Sequence, residues 1–436
     1  MPLRRLARRL ALCLAVCLTV AAPALSQAPA GRRAATANPD RVILTWQGDP
    51  ARSQSVTWRT DTGVTGPKVQ YVRASPDPRP ELGAREVSAS SSSLLSGTQT
   101  AAYHSADMTG LEPDTLYAYR VGDGVRWSEW NQFRTASAKP APFSFIYLGD
   151  EQNNLLSSCA RVLRQAFRQA PDARFIVHAG DLTNSANVDD EWREWHEVGG
   201  WLNAMVPSVP TPGNHQYGRF GEDPSAPSEL TRHWKPQFAL PLNGPAGLEE
   251  STYWFDYQGV RVISLNSCER QQEQVPWLTR VLEDNPNRWT VITFHHPIYS
   301  GAKGRDNKEL RDAWKPIFER FKVDLVLQGH DHVYARSKPE PGSKSPVPVY
   351  VVSVCGQKMY DLKPGISTVR AGEDTQLYQV ITVDGARLEL AAYTASGELY
   401  DRFELRKGGG GSVSLREALP KNTPERHRPA KSGAAN

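Results

Sequence analysis

Cysteine is scarce in this chain, and its placement excludes a disulfide scaffold. Of five cysteines in 436 residues, Cys13 and Cys17 lie near the N-terminus, leaving Cys159, Cys268 and Cys355. Three scattered thiols allow one pair at most. Cys355, inside the apolar run VVSVCG, reads as core packing. Long hydrophobic runs are equally scarce. The one of note, Leu10 to Leu25, follows Arg4, Arg5, Arg8 and Arg9, breaks at Pro23 and leads into Ala24-Leu25-Ser26. This pattern predicts a secretory signal over residues 1–26 rather than a spanning helix, which needs about 20 apolar residues. A secreted or periplasmic location follows, with no transmembrane segment after signal cleavage. Strong charge is also lacking: the formal net charge is +4. The leader holds four arginines, and residues 407–436 hold six Lys or Arg against two Glu, so the body between them is mildly acidic. A body of that sign argues against a nucleic-acid partner, because phosphate backbones are held by clustered cations.

What is present is a globular composition, with 39% hydrophobic residues and 12 tryptophans. After a linker over 27–40, short alternating segments such as VILTWQ, QSVTWRT, KVQYVRA and TLYAYRVG run from residue 41 to 137. Their spacing by Gly, Pro, Asp and Ser predicts an antiparallel sandwich, with Trp58, Tyr117 and Tyr119 as packing residues. From 138 to 406 the texture changes. Apolar runs (FSFIYL, ARFIVH, GVRVISLNS, WTVITFH, VDLVLQGH, VPVYVVSVC) alternate with helical stretches such as SSCARVLRQAFRQA, EWREWHEVGGWLNAM and KELRDAWKPIFERF. That alternation predicts an α/β domain. Residues 407–436 open on GGGG and continue basic and polar, which predicts a disordered tail.

Five motifs follow strand-like runs: Gly149-Asp150-Glu151-Gln152, Gly180-Asp181-Leu182-Thr183-Asn184, Gly213-Asn214-His215-Gln216, His295-His296-Pro297 and Gly329-His330-Asp331-His332. Strand ends are where α/β sheets place sites. Singly each motif is weak, since a Gly-Asp after a strand is usually a turn. Together they gather five of the ten histidines with three aspartates and two asparagines, a nitrogen and oxygen donor set that first-row metals accept.

In these motifs the chain resembles the calcineurin-like metallophosphoesterase superfamily, and within it the purple acid phosphatase branch. The phrases LEPDTLYAYRVG, WSEWNQFRT and AAYTASGELYDRFEL extend the resemblance over most of the chain. It implies a four-layer α/β/β/α sandwich behind an all-β fibronectin type III-like domain. It further implies two metal ions (iron, zinc or manganese) bridged by Asp181. Asp150 and His332 would complete one site, and Asn214, His295 and His330 the other. His215, beside a ligand, would protonate the leaving oxygen. The implied activity is hydrolysis of phosphate monoesters by a metal-bridging hydroxide, with a small phosphate ester as partner. A phosphodiesterase or nucleotidase is the alternative, and a non-catalytic adhesion module the rival outside enzymology.

The departures from the family matter as much. Asn184 stands where purple acid phosphatases carry the tyrosine that colours ferric iron, so no purple colour is expected. Gln152 replaces a glycine or histidine, and either Gln152 or Asn184 is a candidate neutral donor. His296 is a candidate for orienting His295 or touching substrate. In place of a histidine pair found in plant relatives stands a glycine-rich basic loop, where Lys303 and Arg305 are candidates for holding phosphate oxygens. Near the fifth motif Tyr334 and Arg336 match the family's Tyr-x-Arg ending, with Arg336 expected to brace the loop there. His178 reads as strand packing.

Overall fold

The computed structural model describes residues 34–219, 225, 227–339 and 345–428. The segment expected to be a signal, residues 1–26, lies outside them. No helix among the described residues is long and apolar enough to cross a membrane.

Alternation of apolar and polar residues builds the leading domain as two four-stranded antiparallel sheets. One is ordered Asp40–Thr45, Ser53–Thr60, Gln99–Thr109, Ser90–Ser96, and the other Arg85–Ser88, Lys68–Arg73, Leu116–Gly122, Asn131–Arg134. Side chains of alternate positions meet between them, with Trp58, Tyr117 and Tyr119 buried there beside Leu44, Val56, Val69 and Met108.

The second domain is α/β and holds two seven-stranded sheets. The first runs Ser208–Thr211, Ile176–Ala179, Phe143–Leu148, Leu377–Asp384, Arg387–Thr394, Leu399–Lys407, Val413–Glu417. The second runs Tyr253–Tyr257, Val260–Ser264, Trp289–Thr293, Leu325–Gln328, Val349–Val352, Tyr334–Ser337, Thr368–Gly372. Strands buried on both faces need apolar residues at successive positions, and the runs VRVIS, WTVIT and LVLQ supply them. Val262, Val291, Leu325 and Val351 pack in the same core as Phe145, Tyr147 and Val177 of the first sheet. Their alternate neighbours Ile263, Ile292, Val326 and Tyr350 pack with the helices instead. Helix Lys308–Arg320 presents Leu310, Trp314 and Phe318 at four-residue spacing to that second core, and its outer face pairs Lys315 with Glu319 at 2.8 Å.

The two domains are joined by buried charge as well as by packing. Arg41 clasps Asp189 of helix Asp189–Gly199 through two bonds of 2.8 and 2.7 Å, and Arg59 lies 3.5 Å from the same carboxylate. Tyr119 adds a bond of 2.7 Å from its hydroxyl to the carbonyl of Ala204.

Two expectations are corrected here. The tail expected to be disordered is ordered over residues 407–428. Val413–Glu417 pairs antiparallel with Leu399–Lys407, with Phe403 opposite Glu417 and Lys407 opposite Val413. Residues 423–428 then cross to the second sheet, where Arg370 donates to the carbonyls of Thr423 and Pro424 at 2.9 and 2.7 Å. An outer strand needs only one apolar face, so VSLRE, with Val413 and Leu415 packed on the core, falls below what composition reveals. Arg336 is the second correction. It does not brace the fifth motif's loop but lies buried between Asp401 at 2.7 Å and Glu417 at 2.7 Å, tying its strand to the last two of the other sheet. Tyr334 donates to the same Asp401 at 2.8 Å.

Candidate metal centre

The parallel registers place the five motifs at one edge. Ile176 pairs with both Ile146 and Ser208, so the turns after these three strands, carrying Asp150, Asp181 and Asn214, lie side by side. Val291 pairs with Leu325 in the other sheet, which aligns the turns bearing His295 and His330. The turns are sharp. Asp150, Asp181, His330 and His332 all have left-handed backbones, with φ of 49°, 53°, 75° and 49°. Non-glycine residues adopt this region at a cost of about 1 kcal/mol or more each, and such strain collects at functional sites. Gly329 is required by closeness: a Cβ there would lie 2.6 Å from Asp150 Oδ2.

Two donor groups result. Asp181, His295 and His330 offer atoms within 4.8 Å of one another, as do Asp150, Asp181 and His332. Asp181 belongs to both, which is the grouping the resemblance implied. Asn214 joins the first, its Oδ1 lying 3.0 Å from His295 Nε2 and 2.9 Å from His330 Nδ1. His295 Nδ1 donates to the Ala179 carbonyl at 3.0 Å and His332 Nδ1 to the Lys358 carbonyl at 2.7 Å. Each ring therefore turns Nε2 inward. His295 Nε2 also lies 3.1 Å from His330 Nδ1 and 3.2 Å from Asp181 Oδ2. Lone pairs and carboxylates converging on one space fit metal cations, and the donor set of oxygen and imidazole suits first-row metals.

The electrostatics agree. Burial pushes Asp150 well above the carboxylate range. Burial acts the same way on Asp181, but the neighbouring His295 and His215 outweigh it and hold that carboxyl at about 2. His295 is disfavoured as a cation by burial, yet Asp181 and Asp150 raise it to about 9, so its ring answers the two acids with a proton that a bound cation would displace. His332 falls to about 4 through burial, so it stays a neutral donor.

The remaining predicted residues are placed as follows. Gln152 is buried, with Nε2 at 3.1 Å from both Asp181 Oδ2 and His332 Nε2, while its Oε1 has no partner. Asn184 is turned aside: its Oδ1 accepts from Asn153 at 2.9 Å. His215 is anchored by its backbone N–H to Asp181 Oδ1 at 2.9 Å and by Nδ1 to the Asn184 carbonyl at 2.5 Å. Its side chain remains 25% exposed, so it borders solvent beside the buried ligand set. His296 is bonded to Ser267 Oγ at 3.0 Å, with its ring 4.2 Å from that of His330. Arg305 donates to the His330 carbonyl at 2.7 Å and stacks over Tyr360 at 4.5 Å, which spends it on the fifth motif's backbone. Lys303 is exposed on the same loop.

Sequence reasoning passed over several residues. Glu151 accepts from Trp195 at 3.2 Å and contacts His178, so His178 is a polar partner as well as a packed strand residue. Asp331 accepts from the Gly301 N–H at 2.6 Å, tying the basic loop to the edge. Both acids stand inside quoted motifs, the one signal that would have found them. Lys358 and Tyr360, in contact with His332, carry no motif.

Residues 39–135 match the profile of the purple acid phosphatase N-terminal domain, and residues 144–334 that of the calcineurin-like phosphoesterases. The chain belongs to the purple acid phosphatase-like metallophosphoesterases. An uncharacterised Mycobacterium tuberculosis protein is 28% identical over 340 residues, covering 67% of this chain and 62% of that one. Purple acid phosphatase 15 of Arabidopsis thaliana is 25% identical over 270 residues, covering 54% and 49%. The chain thus matches less than two thirds of the length of these relatives. Among solved structures, the purple acid phosphatase PPD1 from yellow lupin seeds superposes with a TM-score of 0.71 at 18% identity, covering 85% of this chain and 75% of that one. At such identity the likeness shows the fold: an all-β domain followed by an α/β metallophosphoesterase domain.

Proposed function

We propose that this metallophosphoesterase hydrolyses phosphate monoesters with two metal ions, iron, zinc or manganese, held around Asp181, and that it acts after export, secreted or in the periplasm. The observation that carries the reading is one carboxylate, Asp181, common to two compact donor groups. Asp150 and His332 would complete one site, with the Gln152 amide beside them; Asn214, His295 and His330 would complete the other. Ions bound there supply a nucleophile from water at neutral pH and polarise a phosphoryl oxygen.

The chain's own residues handle position and protons. With Nδ1 of His215 donating to Asn184, the ring's Nε2 is the nitrogen that exchanges a proton in the cleft, 4.0 Å from Asp181 Oδ2. A proton on Nε2 passes to the ester oxygen as its bond to phosphorus breaks, so the alcohol leaves neutral. Water provides the new oxygen on phosphorus, and no bond from protein to phosphorus is required. Arg305 holds the His330 turn in place, which leaves Lys303 as the loop cation available to a phosphate oxygen.

A cavity of about 460 Å³ beside His296, lined by Ser267, Cys268, Gln271 and residues 306–310, favours a second reading. It leaves room for a second ester substituent, as in a phosphodiesterase or nucleotidase. The test is elemental analysis of the purified chain alongside turnover of nitrophenyl phosphate, its bis ester and a nucleotide. Two ions per chain and fastest turnover of the monoester are expected. One ion per chain, or turnover that survives Asp181→Ala, overturns the proposal, and fastest turnover of the bis ester or nucleotide selects the second reading.

A further inference from the structure

We propose that Cys159 and Cys355 form a disulfide in the mature protein, and that it staples the turn carrying Asp150 to the segment beside it. The two residues are 196 positions apart, yet their sulfurs lie 3.7 Å from one another, and both side chains are fully buried. The third described thiol, Cys268, is elsewhere, its sulfur 3.8 Å from the Pro212 carbonyl. Bond formation at the usual sulfur–sulfur length asks the pair to close by about 1.7 Å, a movement that side-chain rotation supplies when the thiols are already in contact.

The backbones on either side are already matched. Cys355 N–H donates to the Gly149 carbonyl at 2.7 Å and Gly356 N–H to the Asp150 carbonyl at 2.8 Å. Gly356 fits so closely that a Cβ would lie 2.3 Å from that same carbonyl oxygen. Asn154 donates to Gln357 at 2.7 Å, and Gln376 bridges Ser158 and the Cys355 carbonyl at 3.0 and 2.7 Å. The segment so gripped is strained. Asp150, Asn153 and Asn154 all have positive φ, and Leu155–Cys159 is a wide π-type turn. Strain of this kind persists only where surroundings over-determine it, and a covalent link between its far end and residue 355 does so.

Two thiols become one disulfide by exchange with a disulfide oxidant, such as glutathione disulfide or an oxidised dithiol protein. One cysteine attacks the oxidant and releases the first thiol; the other then displaces the second, so both electrons and both protons end on the reduced oxidant. Burial pushes the Cys355 thiol up, so exchange belongs to folding, before the core closes.

The disulfide stands apart from the hydrolytic reading; only its effect on metal retention draws on it. The full chain, refolded in a glutathione and glutathione-disulfide buffer with metal and alkylated in denaturant without reductant, is mapped by mass spectrometry. A linked Cys159–Cys355 peptide with Cys268 alkylated is expected. Alkylation of both Cys159 and Cys355 overturns the proposal whatever the activity. Cys159→Ser, Cys355→Ser and the double variant are expected to lower Tm equally, by about 3–6 °C, and to release one ion to a chelator faster than the unaltered chain. Additive losses, or unchanged ion release, overturn the stapling role. Should Cys355→Ser fail to fold, Cys159→Ser and the peptide map decide alone.

Discussion

The domain joint and the motif-bearing edge both bury charge, and they neutralise it differently. At the joint, Asp189 faces Arg41 and Arg59, with His233 at 3.4 Å, and Arg59 is further paired with Asp40 at 2.7 Å. Desolvation works against the Asp189 carboxylate, but His233 and the two arginines hold it well below the usual range. At the edge, Asp150 and Asp181 face only histidine rings, amides and backbone among the described residues. The joint is complete as protein. No arginine or lysine is bonded to either carboxylate among the described residues: Arg305 is turned to the His330 carbonyl and lies 3.6 Å from Asp331, and the counter-charge that Asp150 and Asp181 lack is what bound cations would supply.

Breaking the edge has the largest expected effect. Asp181→Ala removes the shared carboxylate, so both ions are lost in elemental analysis and turnover falls to background. His215→Ala separates chemistry from charge balance: metal content stays at two while turnover drops about 10²–10⁴-fold, the usual scale of a lost general acid. Asp189→Ala should invert that pattern. It leaves the buried Arg41 guanidinium without its carboxylate while Arg59 keeps Asp40, costing about 2–3 kcal/mol since the Asp189 carboxylate is itself one-quarter exposed, as read by denaturant melts. Metal content and turnover per folded molecule should not change. The pH dependence sharpens the contrast. A folded pKa depressed at Asp189 means stability that is present above the unfolded value of about 4 and lost as pH falls through the folded one. Acid unfolding of Asp189→Ala should therefore show a smaller loss below pH 4 than the unaltered chain. The smallest effect is expected from Arg305→Ala, a several-fold fall in turnover as the His330 turn loosens, with KM for nitrophenyl phosphate little changed. A large rise in KM would instead return Arg305 to the phosphate.

The site was legible because its residues sit next to local signals. An apolar run followed by a short polar motif marks a strand end, so the five motifs stood out before any fold was known, and the family resemblance then singled out Asp150, Asp181, Asn214, His295, His330 and His332 among their residues. What composition hid depends on distant pairing. Gln152 and Asn184 were equal candidates in sequence and part ways only because Asn153 captures the Asn184 side chain. The partners of Arg336 lie 65 and 81 residues away, beyond any spacing rule. Residues 413–417 read as polar tail because an outer strand carries apolar residues on one face only, here Val413 and Leu415.

That closing segment has a practical reach. Val413–Glu417 covers one margin of the first sheet, and the stretch through Arg426 runs beside Gly372 at the margin of the second. A chain cut back to residue 407 would bare unpaired amides and carbonyls along Leu399–Lys407, a ready template for pairing with another molecule. Truncation before Val413 would thus favour self-association through that margin.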